Sequence, residues 1–179
     1  LVVTAPTNGA AGIIPAAIEY LIHDVQIEDK TLHKGILIAG LIGNIIKHNA
    51  SISGAELGCM AEVGSASAMA AALFTYCFGG TIYNISDAAE IALEHHLGMT
   101  CDPVNGLVQV PCIERNAKGI IKAYNAYLLA TARENKPVVY LDQVIEVMRQ
   151  TGTDLSEKYK ETSRGGLATS FGWGNMPGS

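Results

Sequence analysis

The stretch from Glu94 to Asn116, EHHLGMTCDPVNGLVQVPCIERN, constrains the fold more than any other part of the chain. Its 23 residues contain two histidines, two cysteines, three carboxylates and one arginine. Pro103, Pro111 and the pair Asn105-Gly106 interrupt it, so it cannot form one continuous helix. Thiolates are soft ligands that suit iron-sulfur clusters, zinc or copper(I), and a loop can direct several of them at one point. The stretch therefore predicts a metal-binding loop.

Size and charge limit the classes of protein that need to be considered. The chain has 179 residues, of which 49% are hydrophobic, enough for one globular domain with a sizeable core. Its net charge is −5 and it has no long basic stretch, which argues against a nucleic-acid partner. The longest apolar run, residues 35–46, is shorter than the roughly 20 residues that span a bilayer. We therefore expect a small-molecule ligand, no nucleic acid and no membrane.

The four cysteines favour a reducing compartment. They lack the arrangement of a small secreted disulfide scaffold, so the expected localisation is cytoplasmic, with the thiols serving a metal or chemistry. The chain begins at Leu1 within what reads as a motif, and we expect a domain that is incomplete at its N-terminus.

Helical spacing of apolar residues runs through most of the chain, without a convincing strand pattern. The fold class predicted is all-α, a single helical domain with a cysteine-bearing loop. The helix Thr31–Asn49 is apolar nearly all round and is expected at the centre. We expect a helix break at residues 63–65. The other predicted helices start near Pro15, at Ser53 and at Ser86 or Asp87, and span Glu114–Glu134, Leu141–Gln150 and Asp154–Lys160.

The four cysteines differ in their sequence surroundings. A free cysteine is most often a small buried hydrophobe, and Cys77, among the apolar residues of TYCFGG, is interpreted in that way. Cys59, Cys101 and Cys112 stand instead in polar segments flanked by glycine or proline. That context favours these three as metal ligands, although their spacing alone is weak evidence.

Two adjacent histidines, His95 and His96, end a predicted helix. A histidine there commonly stabilises the helix C-terminus. Neighbouring residues point in different directions, so at least one of the two could carry a proton or bind a substrate carboxylate. Both interpretations stay open. An ion-pair frame around the site could be formed by four charged residues, Glu62, Asp102, Glu114 and Arg115. Arg115 could instead bind a substrate carboxylate.

Two further segments offer polar groups for a small ligand. The N-terminal loop, with Asn8 and Gly9, lacks the lysine and spacing of a nucleotide-binding loop but precedes a helix N-terminus, where a carboxylate could bind. Ser65 and Ser67 lie in SASAMAAA, where small residues could serve only close helix packing. We expect the substrate to lie between the N-terminal loop and the predicted break at Gly64. The alternative interpretation of the N-terminal loop is that it only caps the helix that follows.

Four ordered segments give the chain a family resemblance: TAPTNGAAGIIPA, GCMAEVGSASAMAAA, EHHLGMTCDPVNGLVQVPCIERNA and ETSRGGLA. Together they resemble the α chain, or catalytic domain, of the iron-sulfur L-serine dehydratases. The resemblance extends over residues 1–168, and residues 169–179 are expected to be a flexible or artificially added tail.

The resemblance implies an all-helical catalytic domain that holds a [4Fe-4S] cluster through Cys59, Cys101 and Cys112, without pyridoxal phosphate. Three cysteines leave one iron with an open position, which can act as a Lewis acid on the substrate hydroxyl. The implied reaction is dehydration of L-serine to pyruvate and ammonia, a lyase activity of amino-acid catabolism and gluconeogenesis. The candidate residues for this chemistry are His95 and His96 for catalysis, and Asn8, Gly9, Ser65 and Ser67 for substrate binding.

The resemblance also implies a partner. The family's other domain, which carries a Ser-Ser-His loop, has no counterpart here, so we expect a serine dehydratase β chain or domain, a homo- or hetero-oligomer, and an inactive isolated chain. One alternative is a non-catalytic metal- or cluster-binding interaction domain, in which His95 joins the three cysteines in a tetrahedral site. A pyridoxal-phosphate enzyme is disfavoured because no lysine lies in a Ser/Gly-rich frame.

Overall fold

A computed structural model describes residues 4–170. In that range the chain is helical, and its only β pairing is an isolated bridge between Cys101 and Lys160, so the predicted all-α fold is confirmed. The eight α-helices are α1 (Ile13–His23), α2 (Asp29–Asn49), α3 (Gly54–Leu57), α4 (Ser65–Cys77), α5 (Ile82–Glu94), α6 (Cys112–Ala132), α7 (Leu141–Asp154) and α8 (Leu167–Ser170). Short 3₁₀ turns occupy Asn8–Ala10, Val104–Gly106 and Glu157–Tyr159.

Helix α4, and not α2, lies at the centre of the domain. α4 is buried along almost its whole length and packs against α1, α2, α5 and α6. The prediction that Thr31–Asn49 forms the core helix is wrong, because α2 turns Leu37 and Leu41 outward, 74% and 57% exposed. The alanines and serines of α4 allow four neighbours to approach closely, which a helix of bulky residues would prevent.

Glycines on the neighbouring helices complete this close packing. A Cβ atom added at Gly35 of α2 would lie 2.7 Å from a Leu73 methyl group of α4. One added at Gly119 of α6 would lie 2.6 Å from Ile13 and 2.9 Å from the Ser67 hydroxyl. Both separations are too short for van der Waals contact, so α2 and α6 pack on α4 through bare backbone.

The boundaries around the cysteines differ from the predicted ones. No break occurs at residues 63–65, since a single π-helical turn, Met60–Gly64, continues directly into α4. The interruption falls earlier, at Gly58, where α3 ends. α5 begins after Thr81, whose side chain and that of Asn84 form a capping box, and not at Ser86 or Asp87.

The C-terminal part also departs from prediction. α7 extends to Asp154, and the expected helix Asp154–Lys160 is only a 3₁₀ turn. The first two residues of the predicted tail belong to α8, whereas residues 171–179 lie outside the described residues. Along residues 4–170, no helix combines the length and apolar character needed to cross a membrane.

Candidate metal centre and adjoining cleft

The segment after α3 lies directly on the cysteine loop. Gly58 has φ +76°, and a Cβ atom there would lie 2.6 Å from the Met99 carbonyl oxygen. Only glycine fits this left-handed conformation at such a close approach. The Met60 amide donates to the same carbonyl, and the Cys101 amide donates to Tyr159 O at 2.7 Å. Cys59 and Cys101 are thereby brought together although 41 residues separate them in sequence.

Two thiols and one carboxylate converge at this point. The Sγ atoms of Cys59 and Cys101 and a carboxylate oxygen of Glu62 all lie within 4.8 Å of one another. The three side chains are buried, with exposures of 1%, 3% and 9%. Within residues 4–170, no other set of three or more histidine, cysteine, aspartate or glutamate side chains converges in this way.

The two thiols influence each other's protonation. A hydrogen bond from the Cys101 thiol lowers the pKa of Cys59, and the nearby Arg115 charge acts in the same direction against burial. The same hydrogen bond, together with burial, raises the pKa of Cys101. Cys59 is therefore the sulfur that deprotonates first, which a metal ligand requires.

Cys112 lies beside this group at the first residue of α6 and is 6% exposed. Burial raises the pKa of its thiol, and the negative charge of Cys59 raises it further. Cys112 is thus close enough to Cys59 to sense its charge, but its sulfur is not among the atoms that converge within 4.8 Å.

Cys77 lies elsewhere, near the end of α4 against α2. A Cβ atom at Gly35 would lie 2.9 Å from its sulfur, and burial raises the pKa of Cys77 to about 11. A thiol that is protonated and surrounded by apolar groups is a poor metal ligand, which agrees with its interpretation as a core residue.

An ion pair braces the cysteine loop. Arg115 donates to the Thr100 carbonyl at 2.6 Å and lies 3.5 Å from an Asp102 oxygen. Burial alone would raise the pKa of Asp102, but hydrogen bonds from Thr100 and the Leu167 amide, together with Arg115, lower it overall. Of the four residues predicted to form an ion-pair frame, Arg115 and Asp102 do form an ion pair. Neither Glu62 nor Glu114 has an ion-pair partner within the described part of the chain.

A cleft of about 220 Å³ opens beside Cys112. Asn8 and Gly9 line it on one side and Asn116 of α6 on the other. Two of the predicted substrate-binding residues are therefore adjacent to a predicted metal ligand.

Sequence reasoning did not single out Asn116, although it fixes the N-terminal loop. Its Nδ2 donates to Gly9 O and Cys112 O, both at 2.7 Å, and its Oδ1 accepts from Gly12 N at 2.9 Å. The amide of Gly12, the residue that precedes α1, is thus already bonded to a side chain. The only sequence signal was its place one residue after Arg115, at the end of the conspicuous stretch.

The other two predicted substrate-binding residues do not line this cleft. Ser65 is fully buried, and no residue of the described range accepts a hydrogen bond from its hydroxyl. Ser67 donates to the Gly119 carbonyl at 3.0 Å, which joins α4 to α6. In this structure both serines occupy helix-packing positions.

The two histidines lie in different surroundings. His96 is fully buried, with Nδ1 donating to Ala92 O at 2.6 Å and Nε2 3.5 Å from the Ser67 hydroxyl. Burial lowers the pKa of His96 to about 4, so it is neutral at pH 7. His95 is partly exposed. Burial and then the charge of Lys122 lower its pKa, and its Nδ1 finds no partner among residues 4–170.

The fold and the site define a helical domain in which two buried thiols and one carboxylate, those of Cys59, Cys101 and Glu62, could bind a metal. The model of the family described as Serine dehydratase alpha chain matches residues 1–168. The chain belongs to this family.

Curated relatives agree with this assignment. The chain is 56% identical over 171 residues to an L-serine dehydratase of Mycobacterium bovis, covering 93% of this chain and 37% of the relative. It is 55% identical over 170 residues to L-serine dehydratase TdcG of Escherichia coli, with coverages of 93% and 37%. It is 54% identical over 171 residues to an L-serine dehydratase of Streptomyces coelicolor, with coverages of 95% and 38%. The chain therefore spans little more than a third of these relatives' length.

Proposed function

We propose that this chain forms the metal-binding part of an L-serine dehydratase, which converts L-serine to pyruvate and ammonia. The observation that carries the proposal is the convergence of Cys59, Cys101 and Glu62 next to a cleft lined by Asn8, Gly9 and Cys112. The names of the relatives support the reaction.

The cofactor proposed is a [4Fe-4S] cluster held by Cys59, Cys101 and Cys112. The donor set fits, because the buried thiols of Cys59 and Cys101 are adjacent, the pKa of Cys59 is lowered, and Cys112 lies close enough to interact with the charge of Cys59. When bound, such a cluster supplies an iron that acts as a Lewis acid on the serine hydroxyl. The Arg115–Asp102 pair would hold the loop in position.

The chain's own groups would position the substrate. The Asn8 side chain and the Gly9 backbone at the cleft offer neutral polar groups for the serine carboxylate, and Asn116 holds Gly9 in place through the Gly9 carbonyl. Of the two histidines, we propose His95 for proton transfer, because His96 is enclosed and neutral.

The complete enzyme is proposed to need more protein than this chain. The family description names an alpha chain, and we propose a β chain or domain as partner, within an oligomer in the cytoplasm or another reducing compartment.

A second candidate function is a metal-binding domain without turnover. The Cys59, Glu62 and Cys101 group favours it, because two thiolates and a carboxylate can bind a single zinc ion. His95, the fourth ligand expected for that alternative, is not part of the converging group.

The test is anaerobic reconstitution with iron and sulfide, followed by iron and sulfide counting. We expect about four irons per chain for the wild type and for Cys77→Ala, and loss of the cluster in Cys59→Ala, Cys101→Ala and Cys112→Ala. Circular dichroism of each variant checks the fold. One tightly bound zinc in place of a cluster would favour the second function, and retention of the cluster in Cys59→Ala would contradict the ligand assignment.

A further inference from the structure

Glu62 is a buried carboxylate without a cationic partner among residues 4–170. It is 9% exposed, and no lysine, arginine or histidine in the described range forms an ion pair with it. The Thr7 hydroxyl interacts with it but carries no charge. Buried carboxylates in proteins are paired with a cation or coordinate a metal.

The backbone closes around this carboxylate from two separate segments. A Cβ atom at Gly9 would collide with Glu62 Oε2 and lie 3.1 Å from Cδ. A Cβ atom at Gly54 would lie 3.1 Å from Glu62 Oε2 and 3.1 Å from the Cys101 sulfur. Two glycines thus make room for the carboxylate beside the thiols.

We propose that Glu62 is a protein ligand of the metal centre, contributing a carboxylate oxygen alongside the sulfurs of Cys59 and Cys101. Where the metal is an iron-sulfur cluster, the proposal rests on the proposed function, and Glu62 would hold the iron that no cysteine binds only while serine is absent. It extends equally to a single divalent ion bound by the same three side chains.

Cobalt(II) titration of the reduced, metal-free chain tests the ligand set without iron or turnover. Thiolate-to-cobalt absorption reports binding at the cysteines. We expect Glu62→Gln to raise the Kd for cobalt at least about tenfold, because one of three donors is lost. Glu62→Asp keeps an oxygen donor and should lie between Glu62→Gln and the wild type. Glu56→Gln, at an exposed glutamate of α3, is the matched control and should bind as the wild type does.

A second readout uses the reconstituted iron-sulfur protein. If Glu62 holds an iron, Glu62→Gln should lose its fourth iron in air at least about tenfold faster than the wild type, seen as the electron paramagnetic resonance signal of a three-iron cluster. Circular dichroism checks that the variants are folded.

The outcomes separate the two proposals. Equal cobalt affinity and equal iron loss in folded Glu62→Gln and wild type would overturn the role of Glu62 while leaving the serine dehydratase proposal intact. Cobalt binding that depends on Glu62, in a chain that never assembles a cluster, would support the ligand and contradict the proposed cofactor.

Discussion

Glu90 should make the stability of this domain depend on pH. It lies in α5, is 2% exposed, and its Oε1 atom has no hydrogen-bond partner within residues 4–170. Burial, followed by the charge of Glu94, raises its pKa from 4.5 to about 7, against an opposing effect of Arg133. The folded state thus keeps a proton that the unfolded chain releases near pH 4.5. The stabilising contribution of protonated Glu90 is complete below pH 4.5 and is lost as the pH rises to about 7.

The shift of Glu90 corresponds to a loss of up to about 3 kcal/mol in the free energy of unfolding across that pH interval. Glu90→Gln has nearly the same shape and no charge, so we expect it to be about 2 kcal/mol more stable than the wild type at pH 8 and nearly equal at pH 5. Urea unfolding at pH 5, 6, 7 and 8 measures the difference. Glu114→Gln, at an exposed glutamate, is the control and should show no such trend. A pH-independent difference for Glu90→Gln would refute the reasoning.

Three further predictions concern stability. Gly152→Ala should destabilise the domain by about 1 to 3 kcal/mol, because the added Cβ atom would lie 2.5 Å from Leu57. Gly40→Ala in α2 should stabilise the domain by about 0.5 to 1 kcal/mol, because the space around Gly40 is open. Thermal and urea unfolding compare the two, and equal effects would contradict the packing argument. Ser65→Ala should be neutral or stabilising by about 1 kcal/mol, because it removes a buried hydroxyl that has no hydrogen-bond partner among residues 4–170. A clear loss of stability in urea unfolding would mean that the hydroxyl has a partner. Thr81→Ala removes the α5 capping box and should cost about 1 kcal/mol, and no change in the unfolding midpoint would contradict that cap.

The local features of the chain were predictable from sequence because they depend on neighbouring residues. Apolar spacing identified the helices, Pro103 and Pro111 marked a loop, and the apolar surroundings of Cys77 identified a core thiol. Family membership followed from four ordered segments, since such segments preserve both local structure and site residues. Helix ends were less predictable, because the Thr81 capping box and Gly58 override the apolar periodicity.

The arrangement of the site was decided by tertiary structure. Hydrophobicity favoured α2 as the centre, but side-chain volume places α4 there, since only small residues let four helices meet around one. The same packing buries Ser65, whose hydroxyl had seemed available. Conversely, the contacts of Glu62 and Asn116 could be recognised only from the tertiary structure. Glu62 lies beside the thiols, and Asn116 joins the N-terminal loop to α6. Local sequence was enough to predict most of the helices and to separate the three cysteines in polar surroundings from Cys77. Contacts between segments far apart in sequence, such as that of Asn116 with Gly9, depend instead on how side-chain volumes fit, and no local pattern records that fit.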